Sequence, residues 1–461
     1  MTERIYGDQN FRFSETSEAV FVTQIGADGS TETSVSNPLP IAGAVTGPLT
    51  NTQLRASNVA VGIGDGANLD AFSRLRTSHP TGLFSAQCQY DHDPLLFEAG
   101  NTGSGTAPAH SSATRMVTLA CTGTGTSFIQ SYEYIPYQAG KSQLIFITGV
   151  IGAAVASTVT EMGLFDANNG LFIRQASDGT ISVVRRTSTS GSVVDNVIPQ
   201  SDWNLDKLDG TGASGITLDV TDTQILVIDA QFLAMGRVRF GFDIGGQIVY
   251  CHQSLHANVL QVPYMQTLTL PVQMLMTSTG GSKNTTRFKC SSVSSEGGFA
   301  DDIGYSFATP EGTVTAASGA RTHILSLRPR TTFNSITNRS RIRPTSVEIF
   351  VTGANPVFWE LCVGSTFSAG PTYANVNATY SASEYSSAVG TLSAAGIVIA
   401  SGYVAATNQA KQAVSRDIAS RYPLSLNRAG AVRANGTLSL LVSGIGGTSA
   451  TRASLNYTEI R

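Results

Sequence analysis

The 461-residue chain is poor in charge. Only 13% of its residues are Asp, Glu, Lys or Arg, about half of the share usual in soluble domains. Gly, Ser, Thr, Ala and Asn replace the missing charges, whereas the hydrophobic content of 41% is ordinary. The 29 basic and 32 acidic residues give a net charge of −3. A chain of this kind produces no strong global field, which argues against bulk electrostatic binding to nucleic acid or to an anionic membrane.

Lysine is scarce even among the cations, because five of the 29 basic residues are lysine and the rest are arginine. Arginine makes planar contacts with several donors and tolerates desolvation better than the strongly hydrated lysine ammonium. The one concentration of charge in the sequence is an arginine cluster between residues 321 and 343. Because arginine is enriched in protein interfaces, we expect Arg328, Arg330, Arg341 and Arg343 to make assembly contacts between subunits rather than to bind nucleic acid.

Close cysteine pairs and long apolar runs are also lacking. The five cysteines are scattered without a Cys-x-x-Cys motif, which argues against a disulfide framework and favours folding in a reducing cytoplasm. No stretch reaches about 18 uninterrupted apolar residues, and residues 1–8 contain no basic segment followed by an apolar one. We therefore expect neither a signal peptide nor insertion into a membrane.

Motifs for tight ligand binding are weak. Gly140-Lys141-Ser142 imitates the end of a phosphate-binding loop, but Ile135 stands where that loop needs glycine, so a turn into a strand is favoured. The segment Cys251–His256 has two histidines that could bind zinc on a helix. Its flanking residues alternate as in a strand, where two residues four apart lie about 13 Å from each other. The favoured interpretation is a buried cysteine with hydrogen-bonded histidines.

Acidic residues offer two further chemistries. Residues 91–93 and 166–170 combine Asp with His or Asn, but neither has the spacing of a calcium loop, and Asp and Asn favour tight turns unaided. Paired carboxylates for glycoside hydrolysis could come from Asp202, Asp206, Asp209, Asp219 and Asp222, although sequence spacing cannot establish their separation. We predict that the chain is not an enzyme and has no cofactor and no metal site.

Residues 1–80 differ from the rest of the chain. Their short apolar pieces are separated by Gly, Pro, Ser, Thr and Asn, and no piece is long enough to build a core of its own. We predict an extended N-terminal arm that becomes ordered on another surface.

From residue 81 onward, apolar and polar residues alternate with the period of β-strands. Asp178-Gly179 between two β-rich runs predicts a hairpin. Other runs with strand character are 143–150, 223–230, 237–244, 247–252, 268–276, 322–327, 345–352, 357–363 and 437–442. A helical period occurs at 407–422, which could equally be a loop. We predict an all-β fold with two antiparallel, jelly-roll-like β-sandwich domains, residues 81–300 and 301–461, preceded by the arm.

The segment Leu69–Ser85, which contains Asp-Ala-Phe-Ser-Arg-Leu-Arg-Thr-Ser-His-Pro, resembles a segment of the virion structural proteins of tailed bacteriophages, especially marine and cyanobacterial ones. Residues 38–48, 203–219, 250–252 with 256–258, and 445–461 are similar to the same family. The family's usual phrase reads DAFGRLRVSNPxTLFDS. This chain departs from it with Ser73 in place of glycine and with Ser85 where the phrase ends in an acidic residue and serine.

The resemblance implies a non-enzymatic structural component of a phage particle, in the tail, baseplate or fibre apparatus. It implies synthesis in the bacterial cytoplasm, location in the virion, docking of the arm on other virion proteins and assembly as a symmetric oligomer, commonly a trimer. Asp70, Phe72, Arg74 and Arg76 are the expected docking contacts. Alternatively, Arg74 and Arg76 cap the first strand of the sandwich.

Two other roles stay open at this point. The chain could be a capsid decoration protein of the phage head. It could also be a receptor-binding module for host surface polysaccharide, with exposed loops of the second domain, such as Ala378–Tyr380 and Glu384–Tyr385, as the contact. A polysaccharide depolymerase ranks last.

Overall fold

The structure is a computed structural model that describes residues 79–298, 304–406 and 424–461 in full and residues 4–5, 11–15, 20–24 and 414–417 by their backbone. The chain separates into two compact units, Met1–Thr77 and Ser78–Arg461. In the first unit, β1 (Arg4–Ile5), β2 (Phe11–Glu15) and β3 (Val20–Gln24) form an antiparallel sheet. The expected docking contacts Asp70, Phe72, Arg74 and Arg76 lie outside the described residues, so their role stays a prediction.

The all-β prediction is confirmed. In the fully described ranges the only helical element is the short turn Gln200–Asp202. No helix in this part of the chain is long and apolar enough to cross a membrane.

One large antiparallel sheet occupies the first half of the second unit. Its strands are β4 (Thr81–Gln87), β5 (Phe97–His110), β6 (Val117–Ser131), β7 (Ser142–Val150), β8 (Thr158–Phe165), β9 (Gly170–Gln175), β10 (Ile181–Thr187), β11 (Val194–Pro199), β12 (Gln224–Gln231), β13 (Val238–Ile244), β14 (Gln247–Ser254), β15 (Val272–Ser278) and β16 (Lys283–Ser295). They are ordered β11-β10-β9-β8-β15-β6-β16-β7-β12-β13-β14, with β4 paired to β16 and β5 to β6.

The sheet curls so that one face encloses a single core. Alternate residues of each strand face inward, as Met162 and Leu164 of β8 and Phe240 and Phe242 of β13 show. Trp203, from the loop after the helical turn, is also part of this core. The predicted hairpin joins β9 to β10, where Gly179 has φ +92° and Asp178 Oδ1 accepts the Thr180 N–H at 2.9 Å.

The second half of the unit holds two facing sheets and two small hairpins. One sheet contains β17 (Tyr305–Ala308), β18 (Gly312–Ala316), β22 (Arg341–Val351), β29 (Val414–Asp417) and β31 (Ser449–Ile460). The other contains β19 (Thr322–Pro329), β23 (Val357–Val363), β25 (Ala374–Asn375), β26 (Ser383–Ser386), β28 (Ile397–Val404) and β30 (Leu438–Gly444). The hairpins are β20 (Thr332–Phe333) with β21 (Ile336–Thr337), and β24 (Thr366–Ala369) with β27 (Thr391–Ala394).

These two sheets enclose a second core of their own, built around Trp359, Leu440, Leu455 and Tyr457. Strand β29 pairs with β22, so the helix considered for 407–422 does not form at Val414–Asp417. The rest of that segment lies outside the described residues. The domain boundaries at 80 and 300 stay predictions.

Candidate functional site

The sequence candidates for phosphate and cation binding form turns. Gly140 has φ +84°, a conformation that favours glycine, and β7 starts two residues later. Asp91 Oδ1 accepts the N–H of Asp93 at 2.7 Å. Asp166 Oδ1 accepts the N–H groups of Asn168 and Asn169 at 2.8 and 2.9 Å. The last turn joins β8 to β9, so these Asx side chains close backbone turns.

The segment Cys251–His256 lies at the end of β14 and in the loop that follows. Its side chains diverge: Cys251 Sγ contacts the Phe240 carbonyl at 3.4 Å, and His252 Nε2 contacts Ser254 Oγ at 3.4 Å. His256 Nδ1 lies 2.7 Å from the Gly236 carbonyl. Burial lowers the pKa of both histidines. The described ranges contain no group of three or more His, Cys, Asp or Glu side chains that could hold a metal ion together.

Three of the five acidic residues considered for hydrolysis are engaged in their own loops. The buried Asp206 accepts the N–H groups of Leu208 at 2.9 Å and Ser214 at 2.7 Å. Burial acts to raise the pKa of Asp206, but the hydrogen bonds outweigh it and the pKa is lowered. Asp209 and Asp219 accept the hydroxyl of the threonine two residues later, each at 2.6 Å. The structure therefore gives these three carboxylates a role in loop closure.

The arginine cluster makes contacts within the chain. Arg328 pairs with Glu384 at 2.5 Å and lies over the Tyr373 ring, with Cζ 3.5 Å from its centroid. Arg330 donates to the carbonyls of Ala378 at 3.2 Å and Ser381 at 3.0 Å. Arg321 pairs with Glu360, and Arg343 is exposed. Of the other two members of the cluster, Arg339 lies over Tyr134 and Arg341 pairs with Glu133.

Four arginines of the second half reach the first half of the same unit. Three lie over aromatic rings: Arg339 over Tyr134 at 4.3 Å, Arg428 over Phe128 at 4.4 Å and Arg433 over Tyr132 at 4.2 Å. The fourth, Arg341, pairs with Glu133 at 2.8 Å. Burial lowers the pKa of Arg341, Arg428 and Arg433. The planar guanidinium suits this stacking, which explains why the interface between the two halves uses arginine. Contacts between subunits stay a prediction.

Arg461, which directly follows β31, contacts two residues whose aromatic rings are exposed. Tyr305 is 61% exposed and Tyr380 is 67% exposed. Arg461 connects them, because its Cζ lies 4.8 Å from the Tyr305 ring centroid and 4.7 Å from that of the partly buried Phe333, and its Nη2 donates to the Tyr380 carbonyl. We call Tyr305, Phe333, Tyr380 and Arg461 the aromatic platform. Phe333 is carried by the β20–β21 hairpin, whose turn residues Asn334 and Ser335 both have positive φ.

The loop that carries Tyr380 is held by a buried carboxylate. Glu459, on β31, accepts hydrogen bonds from the hydroxyls of Ser381 at 2.5 Å and Ser383 at 2.6 Å and from the N–H of Ala382 at 2.9 Å. Arg461 balances its charge at 2.9 Å. Charge-assisted hydrogen bonds of this kind are stronger than neutral ones, so the loop is fixed in place while its tyrosine faces solvent.

The sequence indicated only part of this site. The loop Ala378–Tyr380 was among the predicted receptor contacts, and the structure places Tyr380 on the platform. Glu384 and Tyr385 are part of β26, where Glu384 pairs with Arg328. Tyr305, Phe333 and Arg461 were not predicted, because they meet through contacts between segments far apart in sequence. β17 pairs with β31, and Phe333 reaches Arg461 from the separate β20–β21 hairpin.

Comparisons with known proteins give distant similarity of structure only. No protein-family model matches the chain, and no curated protein matches it. A β-glucanase from Bacillus licheniformis is 12% identical with a TM-score of 0.28, covering 47% of this chain and 98% of its own. The CBM2 module of an evolved Dit protein from Lactobacillus casei BL23 phage J-1 is 8% identical with a TM-score of 0.29, covering 49% of this chain and all of its own.

A legume lectin-like domain from Entamoeba histolytica is 10% identical with a TM-score of 0.26, covering 46% of this chain and 96% of its own. The chain is thus distantly similar to lectin, carbohydrate-binding and glucanase β-sandwiches. These similarities are too distant to assign a function.

Proposed function

We propose that this chain is a non-enzymatic component of a tailed-phage particle and that its aromatic platform binds polysaccharide of the host surface. The observation that carries the binding proposal is the pair of exposed tyrosines on a rigidly held framework. Exposed aromatic rings that cluster mark binding surfaces more often than single exposed apolar residues do.

The chemistry of the platform suits a sugar. The C–H face of a pyranose ring packs on the flat face of an aromatic ring, and Tyr305 and Tyr380 each offer such a surface together with a hydroxyl. The Arg461 guanidinium, which lies over the Tyr305 ring and donates to the Tyr380 carbonyl, supplies a further donor for sugar oxygens. Because Glu459 and Arg330 already hold the Tyr380 loop, binding costs little ordering entropy.

A glycan-binding assay tests the platform. Full-length protein is titrated with polysaccharide purified from the host surface, alongside variants Tyr305→Ala, Tyr380→Ala and the double variant. We expect each single change to weaken binding about tenfold, which corresponds to about 1.4 kcal/mol per ring. Tyr90→Ala is the matched control, since Tyr90 is also highly exposed but lies in the first half of the unit.

Two outcomes contradict the proposal. If the wild-type protein binds no host polysaccharide, the glycan-binding function is wrong. If the double variant binds as well as the wild type, the platform is the wrong site.

The virion part of the proposal is supported by the resemblance of Leu69–Ser85 to phage structural proteins. Mass spectrometry of purified particles tests it, and the absence of this chain from the particles would contradict it. The copy number separates the two virion roles: a tail component is expected in multiples of three or six, and a head decoration protein in numbers that match the capsid lattice.

A further inference from the structure

The outer face of the first sheet has a groove lined by polar side chains, none of which belongs to the aromatic platform. It has a volume of about 310 Å³. Its charged and amide-bearing lining residues are Lys141, Asp229, Gln231, Arg237, Arg239 and Glu296. Asp229 and Gln231 are on β12 and Arg239 is on β13, while Lys141 and Arg237 directly precede β7 and β13 and Glu296 directly follows β16.

Strand register explains why these side chains face outward together. Ile228 and Ala230 of β12 belong to the first core, so Asp229 and Gln231 point to the opposite face of the sheet. Asp229 lies opposite Arg239 on β13, and Gln231 lies opposite Ser142 on β7. The groove is therefore a product of sheet pairing.

Asp229 is fixed in the groove by hydrogen bonds to one of its two carboxylate oxygens. Its Oδ2 accepts Arg239 Nε at 3.0 Å, Arg239 Nη2, and the Tyr250 hydroxyl at 3.3 Å, and Arg239 also lies over the Tyr250 ring at 4.1 Å. Asp229 is only 8% exposed. Within the described residues, its Oδ1 accepts no hydrogen bond. A nearly buried carboxylate thus presents a free acceptor at a fixed position.

Charges of both signs surround this acceptor. Arg237 and Gln231 are exposed at the rim, and the Lys141 ammonium donates to the Gly297 carbonyl. The second carboxylate, Glu296, has a raised pKa because of burial and the nearby charge of Asp229. The three basic residues and the two carboxylates nearly cancel, so the groove offers no strong net field to an anionic or a cationic ligand. A neutral ligand with many hydroxyls can pair with groups of both signs, since each hydroxyl donates one hydrogen bond and accepts others.

We propose that this groove is a second ligand site, which binds a single neutral saccharide residue. The hydroxyls of the saccharide donate to Asp229 Oδ1 and accept from the Gln231 amide and the Arg237 guanidinium. The volume lies at the lower end of the range of about 300 to 1,000 Å³ found for ligand sites, so the groove suits one sugar residue rather than a chain. This site is independent of the aromatic platform and stands even if the platform binds nothing.

Calorimetric titration of the full chain tests the proposal. The probes are five neutral sugars (glucose, galactose, mannose, rhamnose and N-acetylglucosamine), one anionic sugar (glucuronic acid) and one cationic sugar (glucosamine). We expect at least one neutral sugar to bind more tightly than both charged ones. Gln231→Ala and Arg237→Ala change exposed side chains and leave the core intact, and each is expected to weaken binding at least threefold. Asp229→Asn is expected to weaken it at least tenfold.

The variant Tyr380→Ala is the control for the site and is expected to leave binding of the monosaccharide unchanged. Loss of binding in this variant would assign the sugar to the platform and overturn the groove. Absence of binding by every neutral sugar, tighter binding of a charged sugar, or unchanged binding in both Gln231→Ala and Arg237→Ala would each overturn it as well.

Discussion

Lys283 is a buried cation without an ionic partner, and its titration offers a quantitative test of the first core. Its ammonium donates to Thr160 Oγ1 at 3.0 Å and to Gln175 Oε1 at 2.6 Å, both neutral acceptors. No carboxylate in the described part of the chain pairs with it. Burial lowers the pKa of Lys283 from 10.5 to about 8. Below pH 8 the folded protein therefore holds a charge that its surroundings disfavour.

The effect on stability follows from linkage. The folded-state pKa lies below the unfolded one, so between pH 8 and pH 10.5 the unfolded chain retains a proton that the folded protein has released. The free energy of unfolding then rises with pH, by about 1.4 kcal/mol per pH unit at most. Over the whole interval the gain amounts to about 3 kcal/mol. Lys283→Met removes this gain, because methionine does not titrate.

Urea unfolding between pH 7 and pH 10.5 measures the difference. The chain has two tryptophans, Trp203 in the first core and Trp359 in the second. In a Trp359→Phe background, fluorescence therefore reports on the core that contains Lys283. Burial raises the pKa of thiols such as Cys88 to about 12, so these thiols lower stability above pH 9 in wild type and in Lys283→Met alike. The effect of Lys283 is therefore the difference in the free energy of unfolding between these two proteins.

We expect the stability of wild type relative to Lys283→Met to rise by about 3 kcal/mol between pH 7 and pH 10.5. The exposed Lys207→Met serves as the control and should follow the wild type. Parallel pH profiles for wild type and Lys283→Met would show that burial does not lower the pKa of Lys283.

Two further predictions concern the second half of the unit. Arg433 lies over Tyr132 and donates to the Leu95 carbonyl at 3.1 Å. Arg433→Ala should therefore lower the free energy of unfolding by about 3 kcal/mol and split one calorimetric unfolding transition into two. Arg343→Ala, at an exposed position, should keep a single transition, and a single transition in both variants would contradict the interface. Glu459→Gln should release the Tyr380 loop and increase hydrogen exchange at the Ala382 amide at least tenfold, whereas unchanged exchange would show that Glu459 does not hold it.

The sequence predicted the strands well, because a strand that is buried on one face repeats every two residues. The run at 357–363 became β23, and Asp178-Gly179 became the β9–β10 turn. Both features depend on neighbours in sequence. The segment 407–422 was ambiguous because its apolar residues recur every four positions, yet pairing with β22 makes Val414–Asp417 a strand.

The functional surfaces could not be predicted in the same way, because they depend on pairing between strands far apart in sequence. The arginines at 339 and 341 were visible as a cluster, but their partners Tyr134 and Glu133 lie about 200 residues away. Charge and residue type indicated that these cations would be covered. They could not show that another part of the same chain covers them.

A crystal structure of the full chain with an oligosaccharide purified from the host surface tests glycan binding by the platform most directly. We expect a sugar ring stacked on Tyr305 or Tyr380, with a sugar oxygen within hydrogen-bond distance of Arg461. Oligosaccharide bound elsewhere on the chain, with the platform empty, would contradict it.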